Sequence, residues 1–341
     1  MSDHPRSTLP RNATLEAVAR EAAVSIATAS KVLNDRPGVA PETRERVNRA
    51  LHANGYRKRG TEQAFSPQIE LVYESLDGEW TMELVRGAVR VANAHDLTVT
   101  VSESRVRHGV APGWAKAVSK RQPAGVILVA SDMSENDKHE LRSRNVPFVI
   151  VDPAGDPAPE VPSIGSTNWA GGMAAARHLI ELGHTRIGVI AGPDDLMATR
   201  ARVDGFRSAM GAANLTIDDS LIISREFPDE ASAEPGIRLL SRPDRPTAIF
   251  ATSDIKALGA YEAARSLGLK IPDDLSVVGY DDLPLARWAG PPLTTVRQPL
   301  MEMAQEAAKL VVRLREEPRA SADRIELVTS LVVRSSTARP A

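Results

Sequence analysis

From Ile69 onward, short apolar runs alternate with helix-like stretches, and this rhythm constrains the fold more than any other feature of the chain. The runs are Ile69–Tyr73, Leu97–Val101, Val126–Ala130, Phe148–Val151, Ile187–Ala191, Ile249–Ala251 and Val277–Tyr280. Between them lie Met82–Ala94, Trp169–Leu182, Arg202–Ala212 and Ile255–Leu267. Strands spaced by helices build parallel sheets covered on both faces. Residues 69–341 exceed one doubly wound unit, so two similar lobes are predicted. No apolar run approaches the roughly 18 residues of a membrane span. Met1–Asn12 is polar and carries Pro5 and Pro10, which predicts no export signal and no membrane partner.

In open α/β sheets, ligands bind beyond the carboxyl ends of the strands. Polar residues recur there: Ser131-Asp132 after Ala130, Asp152 after Val151, Thr252-Ser253-Asp254 after Ala251, and Asp281-Asp282 after Tyr280. An Asp at such a place can also cap the next helix. For Asp132 and Asp254 both readings stand; Asp281 precedes Leu283-Pro284, no obvious helix, and reads as a ligand contact. Phosphate-gripping glycine motifs are absent from the sequence. The chain has no cysteine, so disulfides and thiolate chemistry are excluded. His178 and His184 flank a helix end closed by Gly183, where a positive group suits the helix dipole, so no metal is predicted. No Ser-His-Asp set assembles. Asp152 and Asp281 could mimic an acid–base pair, but the expectation is a protein with no catalytic residue and no cofactor, not an enzyme.

The first sixty residues read differently. Thr14 can cap a helix whose Leu15, Val18, Ala19 and Ala22 form an apolar stripe. Ser25 can cap a second helix, Ile26 to Asn34, with Ala29, Val32 and Leu33 inward and Thr28, Ser30 and Lys31 outward. Arg36-Pro37-Gly38 breaks the chain, and Pro41 opens a third helix with Val47, Ala50 and Leu51 inward. Two short helices on a tight turn, supported by a third, form either a packing bundle or a helix-turn-helix that lays its second helix in the major groove. Residues 1–66 carry 11 Lys and Arg against 7 Asp and Glu, while the whole chain is at −2, so a basic head joins an acidic body. That distribution suits a head facing phosphates.

The string Thr14-Leu15-x-x-Val18-Ala19-x-x-Ala22-x-Val24-Ser25-x-x-Thr28-x-Ser30-x-Val32-Leu33-Asn34, followed by Thr43-Arg44-x-x-Val47 and Gly55-Tyr56, resembles the head of the LacI/GalR (lactose-repressor) family. Body segments resemble the same family: Leu182-Gly183-His184, Ala191-Gly192-Pro193, Arg200-x-Arg202-x-x-Gly205-Phe206, Asp274–Asp282 and Pro292–Val296. The resemblance implies an all-α helix-turn-helix head and an α/β body of two doubly wound, periplasmic-binding-protein-like lobes. The expected domains are 1–59 for the head, 60–68 for a hinge linker and 69–341 for the effector-binding and dimerisation body. Lobe one is expected over about 69–163 and 296–322, lobe two over about 164–295 and 323–341.

The resemblance further implies that Ile26, Ala27 and Lys31 face base edges, with Lys31 able to donate to guanine. Thr14, Ser25, Thr28, Ser30, Asn34, Arg44, Tyr56 and Arg57 would hold phosphates and fix register. The Arg57-Lys58-Arg59 run reads equally as a solvated linker. Phe65 takes the place of a minor-groove wedge, or is a simple tether. Ala23 stands where the family carries Gly in the turn. Arg200 and Asp281 would clamp the effector, Asp152 would close from the other lobe, and Ser253 would add a shorter contact. Arg202 would share the site or brace it. Trp80, Trp169 and Trp288 each follow a strand and would either line a sugar or pack in the core. The segments Val151–Pro157 and Thr167–Gly172 resemble actinobacterial regulators of plant-polysaccharide use, which implies a pentose or xylo-oligosaccharide. The expected partners are a pseudo-palindromic double-stranded operator, a sugar effector and a second copy in a homodimer, in the cytoplasm. A purine co-repressor and a sugar-transport receptor are the alternatives.

Overall fold

A computed structural model describes residues 15–33, 38–53, 65–76, 78–224, 232–318 and 323–340. The chain divides into a head, 1–64, and a body, 65–341. In the head, α1 (Leu15–Glu21), α2 (Ile26–Leu33) and α3 (Pro41–Ala53) close one core. Val18, Ala19, Ala22, Ala29, Val32, Val47 and Ala50 are buried in it, and Leu15, Val24, Val39 and Leu51 edge it. The helical spacing of these residues is the reason the core exists, since each helix contributes one apolar stripe. Leu33, expected inside, is only half-buried.

The turn between α1 and α2 is held by backbone bonds from Ala22 to Val18 and from Val24 to Ala19, both 2.9 Å. Ser25 Oγ accepts from the Thr28 amide at 3.1 Å and so caps α2 as its sequence position predicts. Arg46 Nε donates to the Ala22 carbonyl at 3.3 Å, satisfying an open acceptor at the end of α1. Thr14, Asn34, Tyr56, Arg57 and the stretch 58–64 lie outside the described residues.

The body begins with β1 (Ser66–Tyr73), α4 (Gly78–Ala94), β2 (Thr98–Glu103), α5 (Trp114–Arg121), β3 (Pro123–Val129), α6 (Glu135–Ser143), β4 (Phe148–Val151) and β5 (Ser163–Ser166). It continues with α7 (Asn168–Glu181), β6 (Ile187–Ala191), α8 (Met197–Ala212), β7 (Ile222–Ser224), α9 (Glu234–Leu240), β8 (Ala248–Ala251), α10 (Asp254–Ser266), β9 (Ser276–Asp281) and β10 (Thr294–Arg297). Then come α11 (Leu300–Glu316), β11 (Arg324–Leu327) and β12 (Ser330–Val332). The strands form two sheets, ordered β11-β5-β4-β3-β1-β2 and β12-β10-β9-β8-β6-β7. Neighbours pair in parallel except β10 with β12. β3, β4, β6, β8 and β9 are buried along their whole length, which is why each reads as an unbroken apolar run. Among the described residues, no helix is long and apolar enough to cross a membrane.

Two expected boundaries move. The linker expected over 60–68 loses 65–68 to the body. The Ser66 amide donates to the Gln122 carbonyl at 2.7 Å, and Pro67 sits at an irregularity in the register where no ladder donor is needed. The lobes also exchange ends. β5 (163–166) and β11 (324–327) pair with each other in the first sheet, while β10 belongs to the second. Lobe one therefore comprises 65–166 with α11 and β11, and lobe two 168–297 with the C-terminal segment.

Ala23 has φ 52°, the left-handed conformation that an L side chain resists. Replacing Ala23 with Gly removes that cost and is expected to stabilise the head by about 1 kcal/mol. Amide exchange of the α1–α3 core in the full chain checks this: slower exchange is expected, and unchanged exchange refutes it.

Candidate functional site

Both sheets reverse strand order beside their central strands, β1/β3 in one and β6/β8 in the other, and the crevice beyond these carboxyl ends is the place for a ligand. Arg202, on α8, projects into it and is buried. Its Nε donates to Asn168 Oδ1 at 2.8 Å, one terminal nitrogen to the Thr252 carbonyl at 2.7 Å, and the other to Gln298 Oε1 at 3.1 Å. Asp281 Oδ1 lies 3.6 Å from the same guanidinium, which also stacks over the Tyr280 ring at 3.8 Å. Tyr280 OH donates to Asn168 Oδ1 at 3.3 Å. Asp152 approaches from lobe one. Burial raises its pKa, and the nearby Arg202 charge and a hydrogen bond with Asn168 partly offset this. Carboxylates from both lobes thus share one buried cation.

The backbone at these points is unusual. Ala130, Asp152, Asp281 and Asp282 all have positive φ, at 49°, 50°, 112° and 56°. Non-glycine residues held this way cost free energy and concentrate at functional sites. Asp282 is braced by Arg334 at 2.5 Å. The two helices carrying Asn168 and Arg202 lie exceptionally close. A Cβ on Gly205 would stand 2.0 Å from the Trp169 carbonyl oxygen, and one on Gly172 would stand 2.0 Å from that of Arg202. Only glycine permits that approach, and the approach sets Arg202 beside Asn168.

Arg200 is not where the family motif suggested. It is exposed, and its guanidinium donates to the Asp194 carbonyl at 3.0 Å on its own loop. The structure brings Arg202, rather than Arg200, to Asp281. Successive helical residues are about 100° apart, so positions two apart face nearly opposite ways. Arg202 shares a face with the buried Gly205, Phe206 and Ala209, an i, i+3, i+4, i+7 set that could have identified it.

Ser253 caps α10 by accepting from the Lys256 amide at 3.2 Å. Asp254 is therefore not the cap. It is fully buried, accepting from Thr295 Oγ1 at 2.5 Å and from the Leu283 amide at 2.8 Å. Asp132 accepts from the Met133 amide and pairs with Lys138. Trp80 is half-buried against the core of lobe one. Trp169, on the first turn of α7, and Trp288, past the end of β9, are exposed, the latter at 87%. His178 bonds Thr337, and His184 bonds Thr247, Ser276 and the Ala338 carbonyl, so both anchor the C-terminal segment to lobe two. Asn168 and Gln298 were missed, because neither lies in an apolar run nor after one.

The lobes touch across the crevice. Arg107 pairs with Asp195 at 2.9 Å, the Met197 amide donates to the Ala154 carbonyl at 2.9 Å, and the Leu285 amide donates to Glu79 at 3.2 Å. Behind it, the crossings at Thr167 and Thr329 are laced together: the Thr329 amide donates to Thr167 Oγ1 at 3.0 Å, and the Thr329 hydroxyl donates to the Thr167 carbonyl at 3.2 Å.

In the head, Ser25, Ile26, Ala27 and Lys31 are exposed on α2, with Ile26 at 50%. Thr28, Ser30 and Arg44 are half-buried. A helix whose inner face is spent on the core presents this outer face to solvent.

Residues 14–58 match the family model of bacterial regulatory proteins, lacI family, and 176–337 match the periplasmic binding protein-like domain. The HTH-type transcriptional regulator DegA of Bacillus subtilis is 32% identical over 95% of this chain and 98% of its own. A solved complex of the transcriptional regulator CelR with cellobiose is 31% identical, covers 95% of this chain and 100% of that one, and superposes with a TM-score of 0.71. The lac repressor dimer bound to operator and the anti-inducer ONPF is 26% identical, covers 96% and 100%, and gives a TM-score of 0.67.

Burial raises the pKa of Asp254 to about 7. A carboxyl whose folded pKa lies above its unfolded value contributes stability at low pH and loses it as pH rises through the folded value. The body is therefore expected to lose stability between about pH 4 and 7 through this group. In melting curves at pH 5 and pH 8, the advantage of wild type over Asp254→Asn should be larger at pH 5. An advantage that grows with pH refutes this.

Proposed function

Because the chain belongs to the LacI family of DNA-binding transcriptional repressors, and its relatives are regulators rather than enzymes, we propose that a small saccharide held between its lobes controls its grip on operator DNA. The observation that carries this reading is the convergence of Asp152, Asp281 and Arg202 at facing strand ends, with Trp169, after β5, and Trp288, after β9, both exposed. Carboxylates accept from paired hydroxyls, and a guanidinium offers a planar fork of donors. An exposed aromatic face suits the C–H face of a sugar ring. Binding of cellobiose by CelR, a relative over nearly the whole length, supports a saccharide; repressors named PurR, 28–30% identical over 95% of this chain, keep a purine as the rival to be tested. A pentose or xylo-oligosaccharide is the finer reading, carried by the resemblance of Val151–Pro157 and Thr167–Gly172 to regulators of plant-polysaccharide use.

Within the head, α2 reads the operator. Ile26 and Ala27 contact thymine methyls, Lys31 donates to guanine, and Ser25, Thr28, Ser30 and Arg44 hold phosphates, together with Thr14, Asn34, Tyr56 and Arg57. Two copies related by a two-fold axis match a pseudo-palindromic site, and a protein that holds such a site works beside the DNA in the cytoplasm. Saccharide binding favours one angle between the lobes and releases the operator, to the extent that its affinity differs between the two states.

Xylose, ribose, xylobiose and cellobiose are to be screened against hypoxanthine by thermal shift. A saccharide at about 100 times its Kd stabilises the folded chain by about 2.7 kcal/mol. It should also lower affinity for a duplex selected from a random pool. Stabilisation by the purine alone overturns the reading. Arg202→Lys should weaken the saccharide about tenfold or more, because a stacked, multiply bonded guanidinium has no ammonium substitute, while Arg200→Ala should leave it unchanged; the reverse pattern overturns the site.

Lys31→Ala should weaken operator binding by roughly tenfold and relax selectivity at one base pair. A uniform loss across all sequences would instead make Lys31 a phosphate contact.

A further inference from the structure

The helix α11 joins the crevice to the point where the body meets the linker. Its first turn follows Gln298, which lies on a crossing between the lobes and is buried. Gln298 accepts from Arg202 at 3.1 Å, and its amide nitrogen approaches Met303 Sδ at 3.7 Å. Leu300 and Met303 share an apolar cluster with Leu283, the residue just past Asp281-Asp282. The near end of α11 thus touches the Arg202 site by both a polar and an apolar route.

The far end carries Arg315. Its guanidinium stands over the Phe65 ring at 4.3 Å and donates to the Asn145 carbonyl at 2.7 Å. Phe65 is the first residue of the body, directly after the linker. The helix spans 17 residues, about 25 Å at 1.5 Å per residue. Along that length it has little lateral room. A Cβ on Gly87 of α4 would stand 2.2 Å from the Met301 carbonyl oxygen, and one on Gly125 of β3 would stand 2.4 Å from Val311. Packed interiors transmit strain rather than absorb it.

We infer that α11 acts as a rod that reports the state of the crevice to the linker, with Arg315 as the positioning residue that grips Phe65. A change at Arg202 alters the hold on Gln298 and the seat of Leu300 and Met303. The closely packed helix carries the displacement to its last turn, where it tightens or loosens the Phe65 stack. The inference rests on the crevice being the effector site, but its first test needs no effector.

Hydrogen exchange of the full chain is measured for segment 65–68 in wild type, Gln298→Ala, Arg315→Ala and the double variant. Arg315→Ala should speed exchange there about fivefold, as expected for loss of a partly exposed cation–π contact. Gln298→Ala, at the other end of the rod, should speed the same segment measurably and add nothing in the Arg315→Ala background. Gln298→Glu keeps the acceptor for Arg202, loses the donor to Met303, and should act in the same direction as a milder change. On a duplex selected from a random pool, operator affinity should show the same non-additivity. Wild-type exchange at 65–68 in both Gln298 variants, or simple additivity with Arg315→Ala, overturns the inference. A body that binds none of the saccharides overturns the functional reading instead and leaves the exchange result to be judged separately.

Discussion

The buried guanidinium of Arg202 is the interaction on which the rest of the body depends. It draws together the start of α7, the end of β8, the end of β9 and the crossing at Gln298, and it lies under the reach of Asp152 from the other lobe. A charge taken out of water is costly unless it is paired and fully hydrogen-bonded. The structure meets that condition with partners from separate segments. Neither lobe can therefore rearrange near the crevice without changing the environment of this one side chain.

That dependence explains features that look wasteful in isolation. Gly172 and Gly205 weaken their helices locally, yet they allow α7 and α8 to approach until a Cβ would collide with backbone. Consecutive positive φ values at Asp281 and Asp282 are held by Arg334 and by the residues that enclose Asp254. The local strain buys a fixed arrangement of carboxylates around the cation. The same arrangement abuts the crossings between the lobes, where Thr167 meets Thr329 and Gln298 opens α11. A ligand that prefers one arrangement of the crevice would shift the balance between arrangements of the lobes by its differential affinity for them.

Much of this was legible from residues alone. The head core followed from the spacing of Leu15, Val18, Ala19 and Ala22 and from Ser25 as a cap, because a short helix has one inner face and its periodicity names it. The central strands β3, β4, β6, β8 and β9 were legible because burial on both faces leaves continuous apolar runs. Two short strands were not. Ser163–Ser166 and Arg324–Leu327 carry Ser, Gly, Arg and Glu; the first becomes a strand between β4 and β11, and the second by pairing with β5 across a long stretch of sequence. The roles of Ser253 and Asp254 were open from sequence, since both residue types cap helices; only burial decided that Ser253 caps and Asp254 lies within.

The sequence by itself determined the head, the alternating body, the polar residues at the strand ends, and the family to which the chain belongs. These follow from local periodicity and from motifs a few residues long. Tertiary structure alone decided that Arg202 faces the crevice while Arg200 faces solvent, that Gln298 and Asn168 hold it, and that Phe65 lies beneath Arg315. The contacts of Arg202 and of Arg315 join segments tens or hundreds of residues apart. No local pattern records which distant groups will neutralise a buried charge or cover an aromatic ring.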